Sequence, residues 1–124
     1  MSINYSQIET NLVSEIKLTS IQAKIFLLVV TNGKMTGKQI AQKLKISFND
    51  ALDNSKKLMS LGAFIDMPNG EFEAMHPRFT AVNMYRKMCE REKIEFKKNI
   101  MIDNIGVVLE KPYDDARTKY NKKK

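Results

Sequence analysis

Only one cysteine, Cys89, occurs in the 124 residues, so no intramolecular disulfide can brace the fold. Such a chain must hold together by packing, and a reducing cytoplasm is the compartment it suits. Histidine is equally scarce. His76 stands alone and far from Cys89 in sequence, and one of each does not make a transition-metal site. No nucleophile–base constellation is evident either. Catalysis is therefore the least expected class of function, and neither a metal nor a cofactor is expected. Long apolar runs are missing too. The longest covers residues 25–30, far short of the roughly 18 residues a membrane span needs, so no membrane partner is expected. The opening MSINYSQIE lacks the basic and apolar regions of a secretion signal, so the glycosylation pattern Asn4-Tyr5-Ser6 is read as chance. Glycine is sparse, and the stretch around Gly33, Gly37 and Lys38 only superficially suggests a phosphate loop. Three residues separate its glycines where four are needed, and Gln39 follows the lysine where Ser or Thr must bind magnesium.

What the chain does have is charge of one sign. Its formal net charge is +7 and its pI about 9.5, which favours a polyanionic partner. Its length and ordinary apolar content fit one domain with a modest core. Residues 36–62 organise the rest. Thr36 and Gln39 form a capping box, in which each side chain can satisfy a free N–H at the start of a helix. Ile40, Ala41 and Leu44 then share one helical face. Lys45 and Ile46 make a short break. Ser47 and Asp50 repeat the capping pattern and open a second helix, with Phe48, Ala51, Leu52 and Met59 on its inner side. Gly62 can supply the positive φ that ends it. Two short helices with so little between them must cross steeply, as in a helix-turn-helix or in a helical hairpin of a bundle.

What flanks the pair favours the first. Ala-Phe-Ile-Asp-Met from Ala63, the turn Pro68-Asn69-Gly70, and Glu-Phe-Glu-Ala-Met from Glu71 read as a β-hairpin. In front lies another helix, capped by Thr19 and Gln22, apolar over most of its surface and ended by Asn32-Gly33. A shorter leading helix over residues 6–16 is expected, capped by Ser6 and Glu9, with Ile8, Leu12, Val13 and Ile16 on one face. It is read either as packed on the domain core or as a dimerisation arm. The order helix, helix, helix, hairpin is that of a winged helix. Residues 19–86 resemble the archaeal TrmB-like winged-helix transcription regulators and, more loosely, MarR-like ones. The residues that carry the resemblance are Leu18-Thr19 with Gln22-Ala23-Lys24, then Thr36-Gly37-Lys38-Gln39-Ile40-Ala41, then Leu58 with Leu61-Gly62. The resemblance implies double-stranded DNA as partner, a homodimer, and a cytoplasmic, nucleoid-associated place of work. The larger effector domain of such regulators has no counterpart in this sequence. A small effector could enter a dimer pocket, but no residue marks one.

On this reading Lys38, Lys43, Lys45, Lys56 and Lys57 contact phosphates, which fixes register without reading bases. Ser47, Asn49 and Asn54 are the candidate base or groove contacts, and Asn69 at the wing tip can reach the backbone. The family commonly has basic residues where this chain has Phe48 and Asp50, and an apolar one at Ser55. Asp50 is read as a helix cap and Asp53 as the i,i+4 partner of Lys57. The wing, with Asp66, Glu71 and Glu73, is a weak probe of DNA. His76 and Pro77 open the next helix.

Residues 79–109 read as one long helix of about 45 Å at 1.5 Å per residue. Val82, Tyr85, Cys89, Phe96, Ile100 and Ile105 form its seam, expected to pack on a second copy. A helix folded back over the same domain is the alternative. Gly106 and Asn104 are expected to kink or fray it, and Pro112 to stop it. The expected fold is thus mainly α with a small β-hairpin. A winged helix-turn-helix domain occupies residues 1–78 and a long dimerisation helix residues 79–111. A basic tail, disordered, follows over residues 112–124. The expected function is that of a dimeric DNA-binding transcription regulator. Its rivals are a sequence-tolerant architectural DNA protein and a protein-interaction module that docks on transcription machinery.

Overall fold

The computed structural model describes residues 3–122, with side-chain surroundings to Thr118. Six α-helices and one small sheet form a winged helix. In chain order these are α1 (Tyr5–Ile16), α2 (Ser20–Asn32), β1 (Met35–Thr36), α3 (Gly37–Leu44), α4 (Phe48–Ser60), β2 (Phe64–Met67), β3 (Glu71–Ala74), α5 (Pro77–Glu92) and α6 (Ile100–Lys122). No helix among the described residues is long and apolar enough to cross a membrane.

Local capping chemistry explains most helix starts. Thr19 with Gln22 and Thr36 with Gln39 form complete boxes, all four bonds lying between 2.9 and 3.1 Å. Each box satisfies two N–H groups that the helix would otherwise leave free. At α4 only half of the expected box forms: Ser47 Oγ accepts from the Asp50 backbone N–H at 3.0 Å. At α1 the cap is Asn4 rather than Ser6. Its Oδ1 accepts from Gln7 N at 3.0 Å, so the helix begins one residue earlier than expected. Helix ends are less conventional. Lys17, Lys45 and Lys93 terminate α1, α3 and α5 in the left-handed region, with φ of 67°, 56° and 58°. A non-glycine residue is strained there, but a cation beside the free carbonyls gains from the helix dipole.

α2 is the central element. Ala23, Ile25, Phe26, Val29 and Val30 are all buried at 1% exposure or less. Its Phe26 ring meets Phe64 of β2 at 6.4 Å, and Phe64 meets Phe72 of β3 at 6.3 Å, tying the hairpin to the helices. Burying one such ring contributes about 1.5–3 kcal/mol. The hairpin register pairs Phe64 with Ala74 and Met67 with Glu71. A third strand, not expected from the sequence, completes the sheet: Met35 and Thr36 pair with Phe72 and Glu71, giving the order β1-β3-β2. Gly62 ends the α4 turn at φ +88°, as its position predicts. Asn83 Nδ2 of α5 donates to its carbonyl at 3.4 Å.

The C-terminal third departs from expectation. The single long helix is two, α5 and α6, joined through residues 93–99 and packed against each other. Lys93 closes the first, and Asn99 Oδ1 opens the second by accepting from Met101 N and Ile102 N at 3.0 and 3.3 Å. Asn99 Nδ2 also donates to Glu15 Oε1 at 3.0 Å, which fastens the turn to α1. Folding back lets Ile102, Ile105 and Leu109 enter the same core as α1 and α2. Gly106 does not fray α6. It is buried where α6 crosses the start of α5, so close that an added Cβ would sit 2.7 Å from Arg78 Cα. Nor does Pro112 stop the helix. It removes the bond to the Val108 carbonyl, a cost of about 3 kcal/mol in a helix interior. Burial of Tyr113 and Ala116 just beyond it offsets that loss. Residues 112–122, expected to be disordered, are therefore helical, while Lys123 and Lys124 lie outside the described residues.

Candidate nucleic-acid interface

α4 is held by its inner face and open on its outer one. Ala51, Ser55 and Leu58 are buried, Leu52, Asn54 and Met59 half-buried, and Asn49, Asp50, Asp53, Lys56, Lys57 and Ser60 exposed. The turn before it is tight: the Lys45 and Ile46 N–H groups both bond to the Ala41 carbonyl. Lys38 and Lys43 on α3 and Lys45 in the turn are all exposed. Lys56 and Lys57 are exposed on α4 itself.

The neutral candidates separate. Ser47 and Asn49 are exposed at the start of α4. Ser47 Oγ accepts the cap bond, which leaves its own O–H free to donate. Asn54 faces the other way. Its Nδ2 donates to the Asp50 carbonyl at 2.9 Å, and its Oδ1 accepts from Gln22 Nε2 of α2 at 3.4 Å. Both ends of its amide are thus bonded within the protein, which ties the helix to its support. Asp53 and Lys57 form no ion pair among the described residues, so the expected i,i+4 bridge is absent. Asp50, expected to cap, does not: Ser47 is the cap and accepts from the Asp50 backbone N–H, while the Asp50 carboxylate stays exposed in the first turn, where the helix dipole favours it. Asn69 stands exposed at the wing tip, at φ 71°.

Two features escaped sequence reasoning. The first is Phe48, expected on the inner side of α4 but 52% exposed. Periodicity gave its angle correctly, but at the first residue of the helix little lies beneath it except Gly37. The second is an open cleft of about 440 Å³ between the end of α2 and α3, lined by Asn32, Lys34, Met35, Gln39, Gln42 and Lys43. The glutamines at i and i+3 on α3 are its only sequence signal. Ser55, buried at 0% exposure, has a hydroxyl with no partner among the described residues.

The wing is braced from behind. Arg117 of α6 donates to Glu73 Oε1 at 2.7 Å and to the Tyr113 hydroxyl at 2.9 Å. Glu110 receives Arg78 at 3.1 Å and lies 3.7 Å from His76, whose Nδ1 accepts from Arg78 N as the cap of α5. His76 thus does what its place before Pro77 predicts. Burial raises the Tyr113 phenol above its ordinary pKa of 10.0, opposed by the charge of Arg117.

The expected dimer seam is divided. Cys89 and Ile105 are 1% exposed within one chain and unavailable to a second. Val82 and Tyr85 are half-buried, Tyr85 packing on Phe96 at 5.8 Å. Phe96 and Ile100 remain 48% and 75% exposed at the α5–α6 turn, beside Ile94 at 50%.

No protein-family model matches the chain, and no curated protein matches it in sequence. Among solved structures it is similar to TrmBL2, described as an archaeal chromatin protein with a novel mode of DNA binding. The TM-score is 0.63 and the identity 18% over 71% of this chain. The match spans 35% of the TrmBL2 chain, about a third of its length. The likeness establishes the winged-helix fold.

Proposed function

We propose that the chain is a DNA-binding transcription regulator that acts as a dimer and presents α4 to double-stranded DNA. One observation carries this reading: the outer face of α4 is uncovered, and five lysines on α3, the turn and α4 are exposed. In a helix-turn-helix the second helix lies in the major groove with its first residues at the base edges, while the first helix crosses the backbone. That arrangement gives Lys38 and Lys43 phosphates to contact and brings Ser47 and Asn49 to the bases. The net charge and the fold shared with a protein described as binding DNA support it. The chemistry is binding, not catalysis, and the place of work is the nucleoid.

The dimer contact belongs at the α5–α6 turn, where Ile94, Phe96 and Ile100 leave apolar surface in water. Sedimentation at micromolar concentration tests it. Phe96→Glu puts a charge into a contact that must be dry and converts the dimer to monomer without unfolding the winged helix. A wild-type chain that remains monomeric removes this part of the proposal.

A second reading, sequence-tolerant architectural binding, is favoured by the engagement of Asn54 with Gln22 of α2 and by the description of TrmBL2 as a chromatin protein. Titration of short duplexes against unrelated competitor DNA separates the two. A regulator keeps its site against excess competitor and an architectural protein does not. With about three lysines per subunit on phosphates, a dimer gives a log–log salt slope of roughly −5, at about −0.9 per neutralised phosphate. Absence of binding to any duplex at low salt refutes both and leaves a protein-interaction module.

A further inference from the structure

Phe48 is the residue of α4 whose chemistry least suits water. It stands at the first helical position and is 52% exposed. Its ring is seated nonetheless. A Cβ added to Gly37 would lie 3.3 Å from Phe48 Cε1 and 3.6 Å from Leu52 Cδ1, so the ring rests over the bare backbone that starts α3. It therefore sits where the beginnings of α3 and α4 meet, with Lys38, Ser47 and Asn49 exposed around it. On the reading proposed above, this corner enters the groove first.

We propose that Phe48 is a specificity-determining contact for a pyrimidine C5-methyl group in the major groove. The base edges there present hydrogen-bond donors, acceptors and one apolar group, the methyl of thymine. 5-Methylcytosine carries the same group at the same ring position. An aromatic edge seated over Gly37 gains by covering that methyl and gains nothing from any other group on the groove floor. Because the ring's seat exists before DNA arrives, little side-chain freedom is lost on binding. The assignment rests on α4 entering the major groove.

The test uses the full chain and the tightest-binding short duplex recovered from a randomised library. Fluorescence anisotropy compares that duplex with one carrying uracil for each thymine in turn. Uracil lacks only the methyl. At one position per half-site the wild-type chain binds the uracil duplex about fourfold more weakly, the ratio expected for burying one methyl-sized group. Phe48→Ala binds both duplexes equally, and Phe48→Leu keeps part of the difference. Circular dichroism confirms that each variant folds, as a half-exposed position allows. In a parallel arm, 5-methylcytosine for cytosine tightens binding by the wild type and not by Phe48→Ala if the methyl belongs to cytosine. Equal wild-type affinity for every modified duplex overturns the proposal while leaving DNA binding intact. Discrimination that survives in Phe48→Ala overturns the assignment to this residue. Failure to bind any duplex overturns the groove reading and this inference with it.

Discussion

The helix-turn-helix and the wing are neighbours of opposite charge. Residues 34–60 hold six lysines and two aspartates, while residues 63–75 hold three carboxylates and no basic residue. In a winged helix both can approach a duplex, yet here only one is attractive to phosphate. Of the three wing carboxylates, Glu73 is neutralised by Arg117, while Asp66 projects into water. If α4 enters DNA as proposed, the contrast assigns affinity to α3, the turn and α4, and makes the wing the region that limits how closely DNA lies to the rest of the domain.

The largest expected effect removes the attractive side. Replacing Lys38, Lys43 and Lys45 together by alanine costs on the order of 100-fold in DNA affinity per subunit near 0.15 M salt, about fivefold for each phosphate no longer neutralised, and on the order of 10,000-fold for a dimer with both subunits engaged. Filter binding across a salt series checks this, and the slope should flatten together with the affinity. Making the two regions alike is the next test. Asp66→Lys with Glu71→Lys should raise affinity for all sequences about tenfold, because added cations attract phosphate without reading bases. An unchanged affinity would place the wing outside the reach of DNA.

Smaller effects concern what holds each region in place. Arg117→Ala leaves Glu73, mostly shielded from solvent, without its partner. Arg117 is half exposed, so the thermal stability lost is only about 1 kcal/mol. DNA affinity should hardly change. The same brace has a pH signature. Burial makes the Tyr113 phenolate harder to form in the folded chain than in the unfolded one. Its contribution is therefore full below pH 10.0 and falls as pH rises through the higher folded value. Tyr113→Phe abolishes that alkaline loss, measurable by denaturant titration at successive pH values. On the α4 side, Ser55→Ala deletes a buried hydroxyl without a partner and should stabilise the fold by about 1 kcal/mol.

How legible each part was depended on the reach of its signal. Thr19, Thr36 and Ser47 act on N–H groups three residues away, so their helices could be read from adjacent letters. The hairpin turn at Pro68-Asn69-Gly70 was equally local. Asn99 carries the same kind of signal, a capping residue before an apolar run with Asp103 in the first turn, but a continuous apolar seam concealed it. Lys93 gave no warning, since a lysine at a left-handed helix end looks like any other lysine. Among the candidate contacts, exposure of the five lysines followed from their charge. The orientation of Asn54 did not, because its partner Gln22 lies 32 residues away.

By itself, then, the sequence determined the winged-helix order, the caps that start its central helices, the excess of positive charge and the acidic wing. These follow from bonds spanning a few residues and from counting charges. Only the tertiary structure decided that residues 79–122 fold back as α5 and α6, that Cys89 and Ile105 belong to one chain's core, and that Phe48 stands exposed over Gly37. An apolar stripe records that a face must leave water, but the hydrophobic effect has no direction. It does not say whether the covering surface comes from the same chain or another, and here the chain's own helices cover most of it.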